Sequence, residues 1–114
     1  MGLKRKIKKI LYFLKFKKKD YFINIKNNNI LVTGSNSGIG LSISKKMLEL
    51  KNKVFATYRL KSDKLDEIEN KNLLKIKCDQ NNLSDYINLE KNLKNVKIDI
   101  IINCAGIFGP SFKD

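Results

Sequence analysis

The residues Thr33-Gly34-Ser35-Asn36-Ser37-Gly38-Ile39-Gly40 are the part of this chain whose types and spacing most clearly suggest chemistry. A short apolar run, Asn29 to Thr33, leads into them, and Ile39, Ile43, Met47 and Leu48 follow at helical spacing. A turn placed so points backbone N–H groups outward at the positive end of a helix. Glycine at 34, 38 and 40 removes the side chains that would keep a diphosphate at a distance. No lysine precedes a serine or threonine in the loop, so a P-loop is disfavoured. Glycine-rich turns also occur in plain loops; the strand before this one and the helix after it favour a dinucleotide site.

Roughly 20 residues beyond such a turn, at the end of the second strand, these folds place the group that reads the adenosine ribose. Here the positions are Thr57, Tyr58 and Arg59. An aspartate or glutamate would bind the ribose hydroxyls and select NAD, whereas arginine pairs with the 2′-phosphate of NADP. No acid is present, and Arg59 is one of only two arginines in a chain with 22 lysines. The pattern favours NADP over NAD, against the plainer reading of Arg59 as a solvent-facing loop cation. The two cysteines, Cys78 and Cys104, and the lack of histidine exclude a Cys/His zinc site and a multi-disulfide scaffold. Both read as small packing residues in a reducing, cytoplasmic setting.

The elements that must hold these residues follow from periodicity. Asn29–Thr33, Lys53–Thr57, Leu73–Cys78 and Ile98–Asn103 read as strands, and segments around Ile39–Leu48, Ser62–Asn70 and Leu83–Asn95 keep helical intervals. The alternation β-α-β-α-β-α-β predicts an α/β fold, a Rossmann-type doubly wound parallel sheet of strand order 3-2-1-4. The runs beginning at Ile30, Val54 and Ile98 are almost continuously apolar, as strands covered on both faces are. The third alternates Ile76 with Lys75 and Lys77, as an edge strand does.

Charge is distributed unevenly. Of the formal +13, residues 1–19 hold nine cations and no acid, which leaves 15 cations against 11 acids for residues 20–114. In this arm Leu3, Ile7, Ile10, Leu11 and Leu14 fall on one helical stripe, with Lys4, Arg5, Lys8, Lys9 and Lys15 mostly elsewhere. It reads as a basic amphipathic helix, suited to an anionic membrane surface or else solvated as a frayed arm. Nucleic acid is disfavoured as a partner because the charge is confined to the arm. Ile10-Leu11-Tyr12-Phe13-Leu14 is far short of the roughly 20 apolar residues of a membrane span, and no secretory cleavage pattern follows it. The chain thus divides into a basic arm, residues 1–27, and a partial Rossmann domain, residues 28–114.

Two motifs make a resemblance specific. Thr33-Gly34-Ser35-Asn36-Ser37-Gly38-Ile39-Gly40 resembles the Thr-Gly-x-x-x-Gly-x-Gly cofactor motif of the short-chain dehydrogenase/reductase family. Asn103-Cys104-Ala105-Gly106 is similar to that family's Asn-Asn-Ala-Gly, with Cys104 in place of the second asparagine. The resemblance spans about residues 28–114. It implies that Gly34, Ser35, Ser37, Gly38, Ile39 and Gly40 line the phosphates and ribose, that Arg59 meets a 2′-phosphate, and that Asp79 faces adenine. It also implies that Asn103, Ala105 and Gly106 line the nicotinamide half, with Asn103 bracing the first strand. Ser37 stands where many NADP-preferring members carry a basic residue, so the NADP preference rests on Arg59. Plainer roles are a helix-initiating acid for Asp79 and a strand-end cap for Asn103.

The resemblance further implies a Tyr-x-x-x-Lys pair and an upstream serine for proton transfer, and no such pair follows Asn103. The expectation is therefore the amino-terminal, cofactor-binding part of an NAD(P)-dependent oxidoreductase, truncated after the fourth strand and without the catalytic half. The full-length protein would be a homo-oligomer interconverting a small alcohol and a carbonyl. A non-catalytic nucleotide-binding or membrane-surface scaffold is the alternative.

Overall fold

The computed structural model describes residues 2–9 and 25–106. Residues 2–9 are helical, denoted α1, and exposed; the rest of the arm's predicted stripe, from Ile10 to Leu14, lies outside the described residues. Thereafter the order is β1 (Asn29–Thr33), α2 (Gly38–Glu49), β2 (Lys53–Tyr58), α3 (Asp63–Asp66), β3 (Leu73–Lys77), α4 (Leu83–Leu93) and β4 (Ile100–Asn103). All pairings are parallel and the strands lie in the order β3-β2-β1-β4. This is the α/β Rossmann-type sheet that the periodicity predicts.

One face of the sheet carries the main core cluster. Ile30 and Val32 of β1 and Val54 and Ala56 of β2 are each 0% exposed, packed with Leu41 and Leu48 of α2 and Leu65 of α3. Full burial of an aliphatic side chain contributes about 1.5–3 kcal/mol relative to exposure, so these few residues dominate the sheet's cohesion. Asn52, fully buried at the entry to β2, fastens the chain before β1. Its Oδ1 accepts from Asn28 N–H at 3.1 Å, and its Nδ2 donates to the carbonyls of Ile25 and Met47 at 3.1 and 3.0 Å.

The crossover from β3 to β4 runs in the opposite direction along the sheet from the crossover between β1 and β2. With right-handed crossovers, α4 therefore lies on the other face from α2. There the register aligns Ile101, Leu31, Phe55 and Leu74 in one row across the four strands. Phe55 is buried, yet Ile101 is 59% exposed and α4 buries no residue.

Several boundaries and one burial expectation need correction: β2 runs one residue past Thr57, to Tyr58, and β3 ends at Lys77, one short of Cys78. The helix expected over Ser62–Asn70 is a single turn: Ser62 Oγ accepts from Leu65 N–H at 3.4 Å, and the helix ends at Asp66. The segment expected as helix to Asn95 ends at Leu93. The fourth strand starts at Ile100 rather than Ile98, because side chains engage its leading residues first. Asp99 Oδ2 accepts from Asn29 N–H at 2.8 Å, and Asn29 Nδ2 donates to Lys97 O at 2.8 Å. Finally, β4 is not covered on both faces as its apolar run predicts: among the described residues it pairs with β1 alone, and Ile101 stands open.

Candidate functional site

At the carboxyl ends of β1 and β4 two turns meet. The register sets Thr33 opposite Asn103, and the Thr33 hydroxyl joins both strands. Its Oγ1 accepts from the N–H groups of Cys104 and Ala105, each at 3.1 Å, and donates to Asn103 Oδ1 at 3.5 Å. Gly34 follows with φ +65°, and a Cβ on it would lie 2.7 Å from the backbone N and Cα of Ala105. Only glycine permits so close an approach in that conformation.

The turn then folds back under α2. Ser35 N–H donates to Thr57 O at 2.9 Å, and its buried hydroxyl donates to Val32 O at 2.9 Å. Ser44 Oγ lies 3.1 Å from Ser35 Oγ and 2.8 Å from Gly40 O, so the helix is tied to the turn through two buried hydroxyls. A Cβ on Gly40 would overlap the Gly34 carbonyl, which fixes how near α2 approaches the turn.

The first amide of α2 to find a carbonyl is that of Leu41, on Ser37 O at 3.3 Å. The amides of Gly38, Ile39 and Gly40 precede it in the first turn, where helical geometry leaves N–H groups without an intrahelical acceptor. Ser37 is the N-cap residue, but its side chain makes no capping bond, and no acid lies in the first turn. The positive end of α2 is therefore left without a protein anion.

From this point an open cleft of about 350 Å³ runs along the carboxyl ends of the strands. Its wall takes Gly34 and Ser37 from the turn, Thr57, Tyr58 and Arg59 from the end of β2, Asp79 after β3, and Ala105 and Gly106 after β4. Asp79 N–H donates to Asp85 Oδ2 at 2.8 Å, and Asp79 Oδ1 accepts from Asn81 N–H at 3.0 Å. The helix-initiating role belongs to Asn82, whose Oδ1 accepts from Ser84 N–H at 2.9 Å. Burial, with the carboxylates of Asp85 and Asp79 nearby, pushes the Cys78 thiol above its ordinary range. That keeps it protonated and poorly nucleophilic, in accord with a packing role.

Of the residues predicted for the site, the cleft brings together Gly34, Ser37, Arg59, Asp79, Ala105 and Gly106. The others lie off its wall. Ser35 is 0% exposed, with both its N–H and its hydroxyl committed inside the protein, so it supports the turn rather than lining it. Gly40 is buried beneath the turn and Ile39 is 74% exposed on the outer side. Gly38, at φ +54°, opens the helix, and Asn103 braces Thr33. Tyr58, named with Thr57 and Arg59 at the end of β2, lines the cleft too, as do Asn36, Gln80 and Asn81; the sequence pattern assigns no site role to these last three or to Thr33. For Thr33 a signal existed, since it ends a strand directly before the required glycine.

A glycine turn between β1 and α2 and a cleft across the strand ends define a dinucleotide-binding α/β protein of the Rossmann class. The profile of the short chain dehydrogenase family matches residues 28–114, and the chain belongs to that family. It is 32% identical over 83 residues to an uncharacterized oxidoreductase of Saccharomyces cerevisiae, covering 71% of this chain and 27% of that protein. Among solved structures, a carbonyl reductase from Pseudomonas aeruginosa PAO1 superposes with TM-score 0.67 at 29% identity, over 74% of this chain and 41% of that one. A short chain dehydrogenase from Leptospira borgpetersenii with bound NAD+ shares the fold, with TM-score 0.64 at 22% identity, over 78% of this chain and 35% of that one. The chain thus spans well under half of each of these proteins. The family's cofactor is NAD(P), and the residues present fit a dinucleotide: unpaired first-turn amides, open space beside Gly38 where a Cβ would stand, and a cleft with a cation at its β2 end.

Proposed function

We propose that this chain is the cofactor-binding part of an NADP-dependent oxidoreductase that interconverts an alcohol and a carbonyl. The observation that supports it is the junction of Thr33 and Gly34 with Cys104 and Ala105, which joins the phosphate turn and the tip of β4 into one cleft. When bound, the dinucleotide supplies or accepts the hydride. The residues of this chain hold and orient it. The first-turn amides of α2 and the Ser37 hydroxyl take the diphosphate, Asp79 and the β3 end flank adenine, and Ala105 and Gly106 guide the nicotinamide half. The proton on the substrate oxygen comes from a group outside these 114 residues, which contain no Tyr-x-x-x-Lys.

Arg59 supplies the cofactor preference. It is exposed at the rim of the cleft beside Tyr58, and no carboxylate stands at the end of β2 to claim the ribose hydroxyls. A guanidinium there pairs with a 2′-phosphate by charge-assisted hydrogen bonds. Titrating NADPH and NADH against the chain and its Arg59→Ala variant tests this. NADPH should bind more tightly, and the substitution should reduce that advantage about tenfold, equivalent to about 1.4 kcal/mol. An unchanged preference in the variant removes Arg59 from the role.

A further inference from the structure

We propose that the amino-terminal arm docks this protein on an anionic lipid bilayer, lying in the headgroup plane. Leu3 and Ile7 of α1 are 73% and 46% exposed and stand one helical turn apart, on the same face. The same stripe continues in the sequence at Ile10, Leu11 and Leu14, which lie outside the described residues. At the helical advance per residue Leu3 and Ile7 stand about 40° apart around α1. Lys4, Arg5, Lys6, Lys8 and Lys9 fill most of the remaining circumference, and residues 1–19 contain no acid.

The two properties together select the occupant. A nucleic-acid backbone would use the cations but leave the aliphatic stripe in water, whereas an anionic bilayer takes both. Lysine and arginine stems lie along the apolar boundary while their charged ends reach the headgroups. No helix among the described residues is long and apolar enough to cross a membrane, and the arm's longest apolar run, Ile10 to Leu14, falls far short of the roughly 20 residues of a span, which suits an arm lying in the interface.

The test is flotation of the 114-residue chain with vesicles of phosphatidylcholine alone or with about 30% phosphatidylserine, at about 0.1 M salt. Recovery with the anionic vesicles should exceed that with neutral ones at least tenfold, each lysine near the surface contributing about fivefold. Ile7→Asp and the pair Lys4→Glu with Lys8→Glu should each lower it by about fivefold or more. Equal recovery from both vesicles overturns the proposal. So does an Ile7→Asp variant that floats like the parent, since that outcome leaves charge alone and no apolar seat. Tight binding to a single-stranded RNA without flotation overturns it in favour of a nucleic-acid arm.

Discussion

A single hydroxyl at Thr33 serves three partners. It accepts the N–H groups of Cys104 and Ala105 and donates to Asn103, which uses its full hydrogen-bonding capacity. Thr33→Val keeps the shape and removes both acceptor lone pairs, so two part-buried amides lose their partner. The expected cost is about 1–3 kcal/mol, read as a lower urea midpoint, with weaker NADPH binding because the Ala105 wall loosens. Thr33→Ser keeps the oxygen and should recover most of both losses; a serine variant as impaired as the valine one would count against the hydroxyl. The same scale shows what the sequence could and could not reveal. Arg59 and Asp79 were legible because the end of a strand in a parallel sheet fixes which side of the molecule a residue reaches. Ser35 and Ser37 were not distinguishable, since both are serines in one turn. Which of them points at Val32 and which at the cleft is decided by turn dihedrals that no side-chain type announces.

The position of α2 relative to β1 rests on the absence of a side chain at Gly40, directly beneath the Gly34 carbonyl. Gly40→Ala has two effects of opposite sign. Alanine raises intrinsic helix propensity by about 1 kcal/mol, while its methyl must push α2 off the turn or press the turn into the cleft. Helix content by far-UV circular dichroism should therefore hold nearly constant while NADPH affinity falls by tenfold or more. A variant that binds as the parent does would show that the first-turn amides do not set the phosphate position. The elements themselves were legible from apolar period, but their ends were set by competing polar contacts. Ser62 caps a helix that closes after one turn, and Asp99 and Asn29 pair before β4 can join the ladder. Those contacts join residues 70 apart or turn on a single cap, and neither leaves a trace in hydrophobic spacing.

Among the described residues, the two faces of the sheet are unequally buried. The face under α2 is closed, but on the other the row Ile101-Leu31-Phe55-Leu74 ends in an open isoleucine, and α4 shows Leu83, Tyr86 and Ile87 to solvent. Beside Ile101 the outer edge of β4 carries backbone groups with no neighbouring strand among the described residues. An apolar edge of this kind recruits other chains. Opposing that is a net charge of +13, which holds copies apart at low ionic strength and is screened within about 10 Å at 0.1 M salt. The balance gives a sign: the 114-residue chain should self-associate more as salt is raised, the reverse of an assembly held by ion pairs. Ile101→Lys adds a charge where the edge is most apolar and should keep the chain monomeric at salt concentrations that aggregate the parent, by analytical ultracentrifugation. If instead the parent unfolds as a reversible two-state monomer at every salt concentration, and Ile101→Lys changes nothing, the open face does not govern how this chain behaves in solution.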